Sequence, residues 1–112
     1  MMSNLSYEGI GAVVATFEVD EGVRGGQVVK PAGNGQVGPC SADDKFCGVA
    51  LEPRAGIAGV QVKGFMTVTA SGLSVGAATL AADGNGGVKS AASGVSATVV
   101  SVNEDGTAVI CL

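Results

Sequence analysis

The sequence predicts an all-β fold, a small Gly/Ala/Val-rich barrel or sandwich, and three observations carry this prediction. Short runs of β-branched or alternating apolar residues recur along the 112-residue chain at a spacing of about ten residues, which is typical of sandwiches and barrels. The 19 glycines fall mainly between these runs. No segment carries apolar residues at sustained helical spacing.

The individual strands follow from local signals. Residues 13–18 are rich in β-branched residues, and residues 58–63 alternate apolar with polar side chains. Pro31 is expected to stop the second strand, and the Asp105-Gly106 pair predicts a hairpin before the last one. Ser41 is placed to cap a short helix or turn. The predicted strands are 13–18, 27–30, 36–37, 46–51, 58–63, 65–70, 77–81, 88–89, 96–102 and 107–112.

An internal repeat divides the chain into two similar β-halves. Gly33-Asn34-Gly35-Gln36-Val37 is echoed by Gly84-Asn85-Gly86-Gly87-Val88, an offset of 51 residues (84 − 33). A predicted strand precedes each copy, and two more follow it. We therefore expect two related halves that share one core.

The first residues form a separate region. Residues 1–11 are polar and irregular, with Leu5, Tyr7 and Ile10 as scattered apolar anchors. We interpret them as an N-terminal arm, and residues 12–112 as a single β domain. A frayed terminus without a function is the alternative for this segment.

Composition and charge exclude several classes of protein. The formal net charge is −4, and the six Lys and Arg residues are scattered singly, so we expect no nucleic-acid binding. No apolar run approaches membrane-spanning length, so we expect no membrane partner. The start shows no signal peptide, which predicts assembly in the cytoplasm. Aromatic residues make up only 4% of the chain, and so thin a core favours a homo-oligomer.

The residues that chemistry requires are missing or wrongly spaced. The chain has no His, which removes Ser-His and Cys-His catalysis. Gly33-x-Gly35-x-x-Gly38 matches a dinucleotide fingerprint, but Pro39 follows it where a helix should open. A calcium loop starting at Asp83 would need a carboxylate where Gly94 stands. Cys40, Cys47 and Cys111 lack metal-site spacing. We expect no enzyme, no catalytic or metal-binding residues and no cofactor.

Cysteine environments follow from the predicted strands. Cys47 and Cys111 each fall in a predicted strand and are expected to be small buried apolar residues. Cys40 falls in a loop and is expected to be exposed.

A wider resemblance covers about residues 13–112. Gly48-Val49-Ala50-Leu51-Glu52, followed by an Ala/Gly/Val-rich stretch over residues 55–68, resembles the capsid cement (head decoration) proteins of tailed bacteriophages. Gly26-Gln27-Val28-Val29 fits the opening of that pattern, with Gln27 in place of the frequent acidic residue. Residues 84–88 and 107–112 fit its later part.

The resemblance implies a structural virion protein that binds the outer surface of an expanded capsid and stabilises the head. The implied partner is the major capsid protein, and the implied oligomer is a trimer at local three-fold axes. The implied location is the capsid surface, after assembly in the host cytoplasm. An arm carrying Leu5, Tyr7 and Ile10 would pair with capsid strands. The alternatives are a small β-barrel ligand-binding or adaptor module and a tail-tube-like structural subunit.

Overall fold

A computed structural model describes residues 11–112, and within them the chain forms ten β-strands and no helix. The predicted all-β class is confirmed, and each predicted segment contains or overlaps one strand. The strands are β1 (Val13–Val19), β2 (Val28–Gly33), β3 (Gln36–Pro39), β4 (Gly48–Ala50), β5 (Ile57–Lys63), β6 (Phe65–Thr69), β7 (Gly76–Ala82), β8 (Val88–Ser90), β9 (Val95–Val102) and β10 (Thr107–Cys111).

The first half of the chain closes into a five-stranded barrel. Its strand order is β1-β3-β2-β4-β5, and β5 pairs again with β1. Neighbouring strands are antiparallel except β1 and β3, which pair in parallel through Glu18–Gln36 and Val19–Val37. Closure removes most of the unpaired edge that an open sheet of this size would expose.

The second half forms an open sheet with the order β6-β10-β9-β7-β8. Its two edge strands approach each other at a parallel bridge between Ala70 and Val88. The second half therefore has a strand order similar to that of a barrel, but its edge strands β6 and β8 do not pair along their length.

Pairing registers confirm the two similar halves. The bridge Ala70–Val88 lies 51 residues beyond the pair Val19–Val37 at both of its ends (70 − 19 and 88 − 37). The pair Ala82–Val88 likewise lies 51 residues beyond Pro31–Val37. The repeat is therefore present in the strand pairing as well as in the amino-acid sequence.

Two apolar clusters fill the molecule, where one shared core was expected. The smaller cluster lies inside the barrel, and the larger packs on one face of the second sheet and includes residues of both halves. The barrel cluster consists of Val23, Val29, Val37, Ala50 and Val60. The larger cluster consists of Val28, Phe46, Val49, Met66, Val68, Ala70, Leu80, Ala82, Val88, Ala97, Val99, Ala108 and Ile110.

The barrel wall formed by β2 and β4 separates the two clusters. Val29 and Ala50 point into the barrel, whereas their neighbours Val28 and Val49 point into the second half. Successive strand residues face opposite sides, so a strand buried on both faces needs consecutive apolar residues. Together with Phe46, the side chains of Val28 and Val49 fill the gap between β6 and β8, the edge strands of the second sheet.

Polar contacts also join the halves. The Val28 N–H donates to the Gly86 carbonyl at 3.0 Å. The loop between β3 and β4 pairs with β7, because Asp43 N–H donates to the Ala82 carbonyl and Ala82 N–H donates to the Asp44 carbonyl, both at 2.9 Å.

Of the short helix or turn expected at Ser41, the structure has the turn. Asp43 has a φ of 71°, outside the helical range, and the Asp44 carbonyl accepts a hydrogen bond from the Ala82 N–H. The Ser41 N–H donates to the Asp44 carboxylate at 2.8 Å across this turn.

Pro31 does not end β2, contrary to expectation. It pairs with Val37 of β3, while the pairing of β2 with β4 extends only over Val28 and Val29. Because β4 has already left β2 at this point, the missing N–H of Pro31 costs no ladder bond on that side.

A single residue, Gly64, joins the halves between Lys63 of β5 and Phe65 of β6. Its φ of +100° lies in the left-handed region, and a Cβ there would lie 2.9 Å from the Ala12 Cα. Glycine is therefore required. The Leu112 N–H donates to the Gly64 carbonyl at 3.1 Å, and the Gly64 N–H donates to the Leu112 carbonyl at 3.4 Å.

Candidate binding surface on the first barrel

The most apolar exposed region of the barrel lies over β1 and β5. Val13, Val14, Leu51 and Ile57 are each about half exposed, at 51%, 50%, 49% and 47%. We call this set the β1–β5 apolar surface. Apolar side chains scattered singly on a surface are normal, so their spacing decides whether this set matters.

Strand register brings these side chains together. Thr16 pairs with Gly59 and Val14 pairs with Gln61 on the outer side of the barrel. At Gly59, a Cβ would lie 3.0 Å from Val14 Cγ1 and 3.2 Å from Leu51 Cδ1. Two apolar side chains from different parts of the chain therefore close over a glycine.

Charged residues border this surface. Glu18 is the cross-strand partner of Ile57, and Arg54 forms an isolated bridge with Ile57. Lys63 is the partner of Val13 at the other end. An apolar centre with a charged rim is the usual anatomy of a protein–protein interface.

Part of β1 also has an open edge. β3 pairs with β1 only at Glu18 and Val19, and within residues 11–112 no strand pairs with residues 13–17 on the side away from β5. The Val19 N–H donates to the Gly56 carbonyl toward β5, whereas the Glu18 N–H donates to the Gly35 carbonyl on the other side. By this alternation, the backbone groups of Val14 and Thr16 point to the open edge.

The arm residues expected to bind the capsid, Leu5, Tyr7 and Ile10, lie outside the described residues. The described chain begins beside the β1–β5 apolar surface, since Ala12 contacts Gly64 and Val13 follows. The sequence interpretation missed this surface and the open edge. The signal was present, because Val14, Thr16 and Glu18 share one face of a predicted strand while Ala15 and Phe17 share the other.

Several acidic side chains in the loops form ion pairs or hydrogen bonds that hold the fold together. Lys30 Nζ lies 2.6 Å from Asp44 Oδ2, and Lys89 Nζ lies 2.6 Å from Asp43 Oδ1. The hydrogen bond from Lys30 holds the pKa of Asp44 below its usual value, and the same bond raises the pKa of Lys30. Near the β1–β3 contact, Gln36 donates to Asp20.

The other singled-out loops also have structural roles. The Asp83 carboxylate accepts the N–H groups of Asn85 at 2.7 Å and Gly87 at 3.1 Å, which closes the turn before β8. Thr107 donates to Asp105 through its hydroxyl at 2.6 Å in the last hairpin, and this bond lowers the pKa of Asp105. Among residues 11–112, no three His, Cys, Asp or Glu side chains are grouped to hold a metal ion.

The three cysteines are free and half-buried. Cys40 packs against the larger cluster, so its expected exposure is wrong, and burial raises its pKa to about 11. Burial also raises the pKa of Cys47, which packs against the barrel cluster. Cys47 and Cys111 were expected to be buried, and both are half-buried; Cys111 pairs with Phe65. Because the thiolate is the reactive form, Cys40 and Cys47 are poor nucleophiles.

Comparisons with known proteins give no family. A scan against protein-family profiles and a search of curated proteins each found no match. The described residues also contain no helix long and apolar enough to span a membrane.

Proposed function

We propose that this chain is a structural virion protein that binds the outer surface of a phage capsid and stabilises the expanded head. The observation that carries the proposal is the β1–β5 apolar surface beside an open strand edge. Together they offer side-chain burial and backbone pairing to one protein partner. The family resemblance of the sequence supplies the identity of that partner, the major capsid protein.

The two halves suit such a role. The larger cluster and the backbone bonds between the halves fix them as one body, so load applied to the barrel is transmitted to the second sheet. Copies bound across one shell need only modest affinity each, since oligomers with several contacts gain from avidity. We expect a trimer, placed at local three-fold axes.

Co-sedimentation with purified, expanded empty capsids tests the proposal. The wild-type chain should pellet with the shells. Leu51→Glu should weaken binding by about tenfold or more, because it places a charge at the apolar centre. Val102→Glu is the matched control, since Val102 is 45% exposed but lies in the second half, and it should bind as the wild type does.

The remaining outcomes are decisive. Deletion of residues 1–11 should also reduce binding, as the arm hypothesis requires. A wild-type chain that stays in the supernatant at saturating concentration contradicts the proposed function. Equal binding by both Glu variants contradicts the assignment of the surface. Solution mass measurement should give a trimer.

A further inference from the structure

The repeated Gly-Asn-Gly segments place an Asn-Gly pair at equivalent turns of the two halves. Asn34 and Gly35 form the turn between β2 and β3, and Asn85-Gly86 lies 51 residues later, before β8. Both asparagines are exposed. In such a pair the next backbone nitrogen can approach the asparagine side chain closely, because glycine has no Cβ to hinder it. Asparagine is accordingly a thermolabile residue.

The group that would attack the side chain is available at both turns. Within residues 11–112, neither the Gly35 N–H nor the Gly86 N–H donates a hydrogen bond. The nucleophile forms when this N–H loses its proton, and a nearby charge decides how readily it does so. The two turns therefore offer the same chemistry, and their surroundings determine which of them reacts.

One carboxylate distinguishes the two turns. Asp83 Oδ1 accepts the Asn85 N–H at 2.7 Å and the Gly87 N–H at 3.1 Å, so it holds the backbone on both sides of Gly86. Its negative charge also disfavours an anion on the Gly86 nitrogen. The residue 51 positions earlier is Ala32, so the first turn has no carboxylate at this position.

Packing adds to the difference between the turns. A Cβ on Gly86 would lie 2.9 Å from Gln27 Cγ, whereas a Cβ on Gly35 would meet nothing within 4 Å. In the first half the Asp20 carboxylate accepts the side chain of Gln36. The Gly35 segment therefore has space to bring its nitrogen onto the neighbouring side chain.

We propose that Asn34 is a site of spontaneous deamidation and that Asn85 is protected from it. The Gly35 nitrogen gives its proton to solvent and attacks the side-chain carbonyl carbon of Asn34. The bond from that carbon to the amide nitrogen breaks, and the nitrogen takes a proton from water and leaves as ammonia. Water then opens the cyclic imide at either carbonyl, which gives aspartate or isoaspartate at position 34.

The product weakens the closure of the barrel. The Gly35 carbonyl accepts the Glu18 N–H at 2.9 Å, which is one of the bonds that join β1 to the β2–β3 hairpin. Isoaspartate adds a methylene group to the backbone of a two-residue turn and so changes the geometry on which hairpin pairing depends. This inference goes beyond the proposed function and does not depend on it, because it concerns the isolated chain.

Peptide mapping by mass spectrometry tests the site after incubation of the full chain in mildly alkaline buffer. Asn34 should deamidate at least about tenfold faster than Asn85, an effect of the size that a nearby like charge produces. Equal rates at the two sites would overturn the proposal. So would an Asn34 that stays intact while the urea-denatured chain reacts at both sites.

The variant Asp83→Ala tests the reason for the difference. It removes the charge and both backbone bonds, so Asn85 should deamidate at a rate close to that of Asn34. Asn34 is the internal control and should keep its wild-type rate, which excludes general unfolding as the cause. An Asn85 that stays slow in this variant would overturn the protective role of Asp83.

Amide hydrogen exchange tests the effect on the barrel. In the deamidated chain, separated by its added charge, the Glu18 amide should exchange at least about tenfold faster than in the fresh chain. The Val19 amide donates to the Gly56 carbonyl on the other side of β1 and should keep its rate. Asn34→Ser cannot form the imide and should show no change after the same incubation. Unchanged exchange at Glu18 in the deamidated chain would overturn the effect on closure.

Discussion

The two halves of this protein share a strand topology but differ in how deeply equivalent outward-facing residues are buried. In the first half Val28 lies on the outer side of the barrel and is 1% exposed, because the second half packs on it. The corresponding residue of the second half, 51 positions later, is Thr79, which is only half-buried. Equivalent backbone positions thus carry an apolar or a hydroxyl side chain according to their surroundings.

The same comparison bears on the proposed docking surface. Glu18 pairs with Ile57 in the barrel, and its counterpart Thr69 pairs with Thr107 in the second sheet. Hydroxyl side chains on an open sheet suit water, whereas Ile57 and Leu51 leave apolar area exposed. The second half also exposes Val75 and Val102, so this contrast supports the proposed docking surface only at the paired positions compared.

The sharpest way to break this comparison is to place a charge at both equivalent positions. Val28→Asp buries an unpaired carboxylate in the larger cluster and should lower the free energy of unfolding by about 4 kcal/mol or more. Thr79→Asp, its matched control, should change it by less than about 1 kcal/mol. Urea denaturation measures the free energy of unfolding of both variants. Equal losses would contradict the difference in burial between Val28 and Thr79.

A second prediction concerns cooperativity between the halves. Leu80 is fully buried in the larger cluster, so Leu80→Ala should cost about 2–5 kcal/mol. Because that cluster contains Val28 and Phe46, the loss should lower the unfolding midpoint of the barrel as well. Residue-resolved NMR during denaturation checks this, and a barrel midpoint that stays unchanged would mean that the halves unfold independently.

The smallest expected effect is the pH dependence of the Lys30–Asp44 pair. The pKa of Asp44 is lowered in the folded state, so its contribution to stability is present above the unfolded value of about 3.9 and is lost as pH falls further. Asp44→Asn should therefore flatten the loss of stability in this acidic range. The pKa of Lys30 is raised, so its contribution is lost only as pH rises through that folded value. Thermal melts from pH 2 to 6 measure the acidic part, and a variant that keeps the wild-type slope there would contradict the assignment.

Much of the fold could be predicted from the sequence because its signals are local. Glycine turns and β-branched runs mark the strands, and the repeated Gly-Asn-Gly segments reveal the two halves. Closure of one half and not the other depends on pairing between β1 and β3, which no local pattern encodes. The packing of Val28 and Val49 against the second half is equally non-local, so the single shared core was an oversimplification.

The binding surface was harder to predict for the same reason. Val14, Leu51 and Ile57 belong to separate segments, and only the register of β1 against β5 sets the first two over Gly59. The arm is predicted from composition alone and lies outside the described residues, so it stays a prediction. The sequence reading did not identify the surface.

The hydrogen bonds between Gly64 and Leu112 have a practical consequence for anyone who wishes to modify this protein. They hold residue 112 against the same glycine that contacts Ala12, so residues 12 and 112 leave the fold at one spot. A cargo fused after residue 112 would therefore stand beside residues 12 and 64 and the start of β1. Joining the two ends and reopening the chain in the exposed turn at Gly106 would free that spot and move the attachment point to the far end of the second sheet.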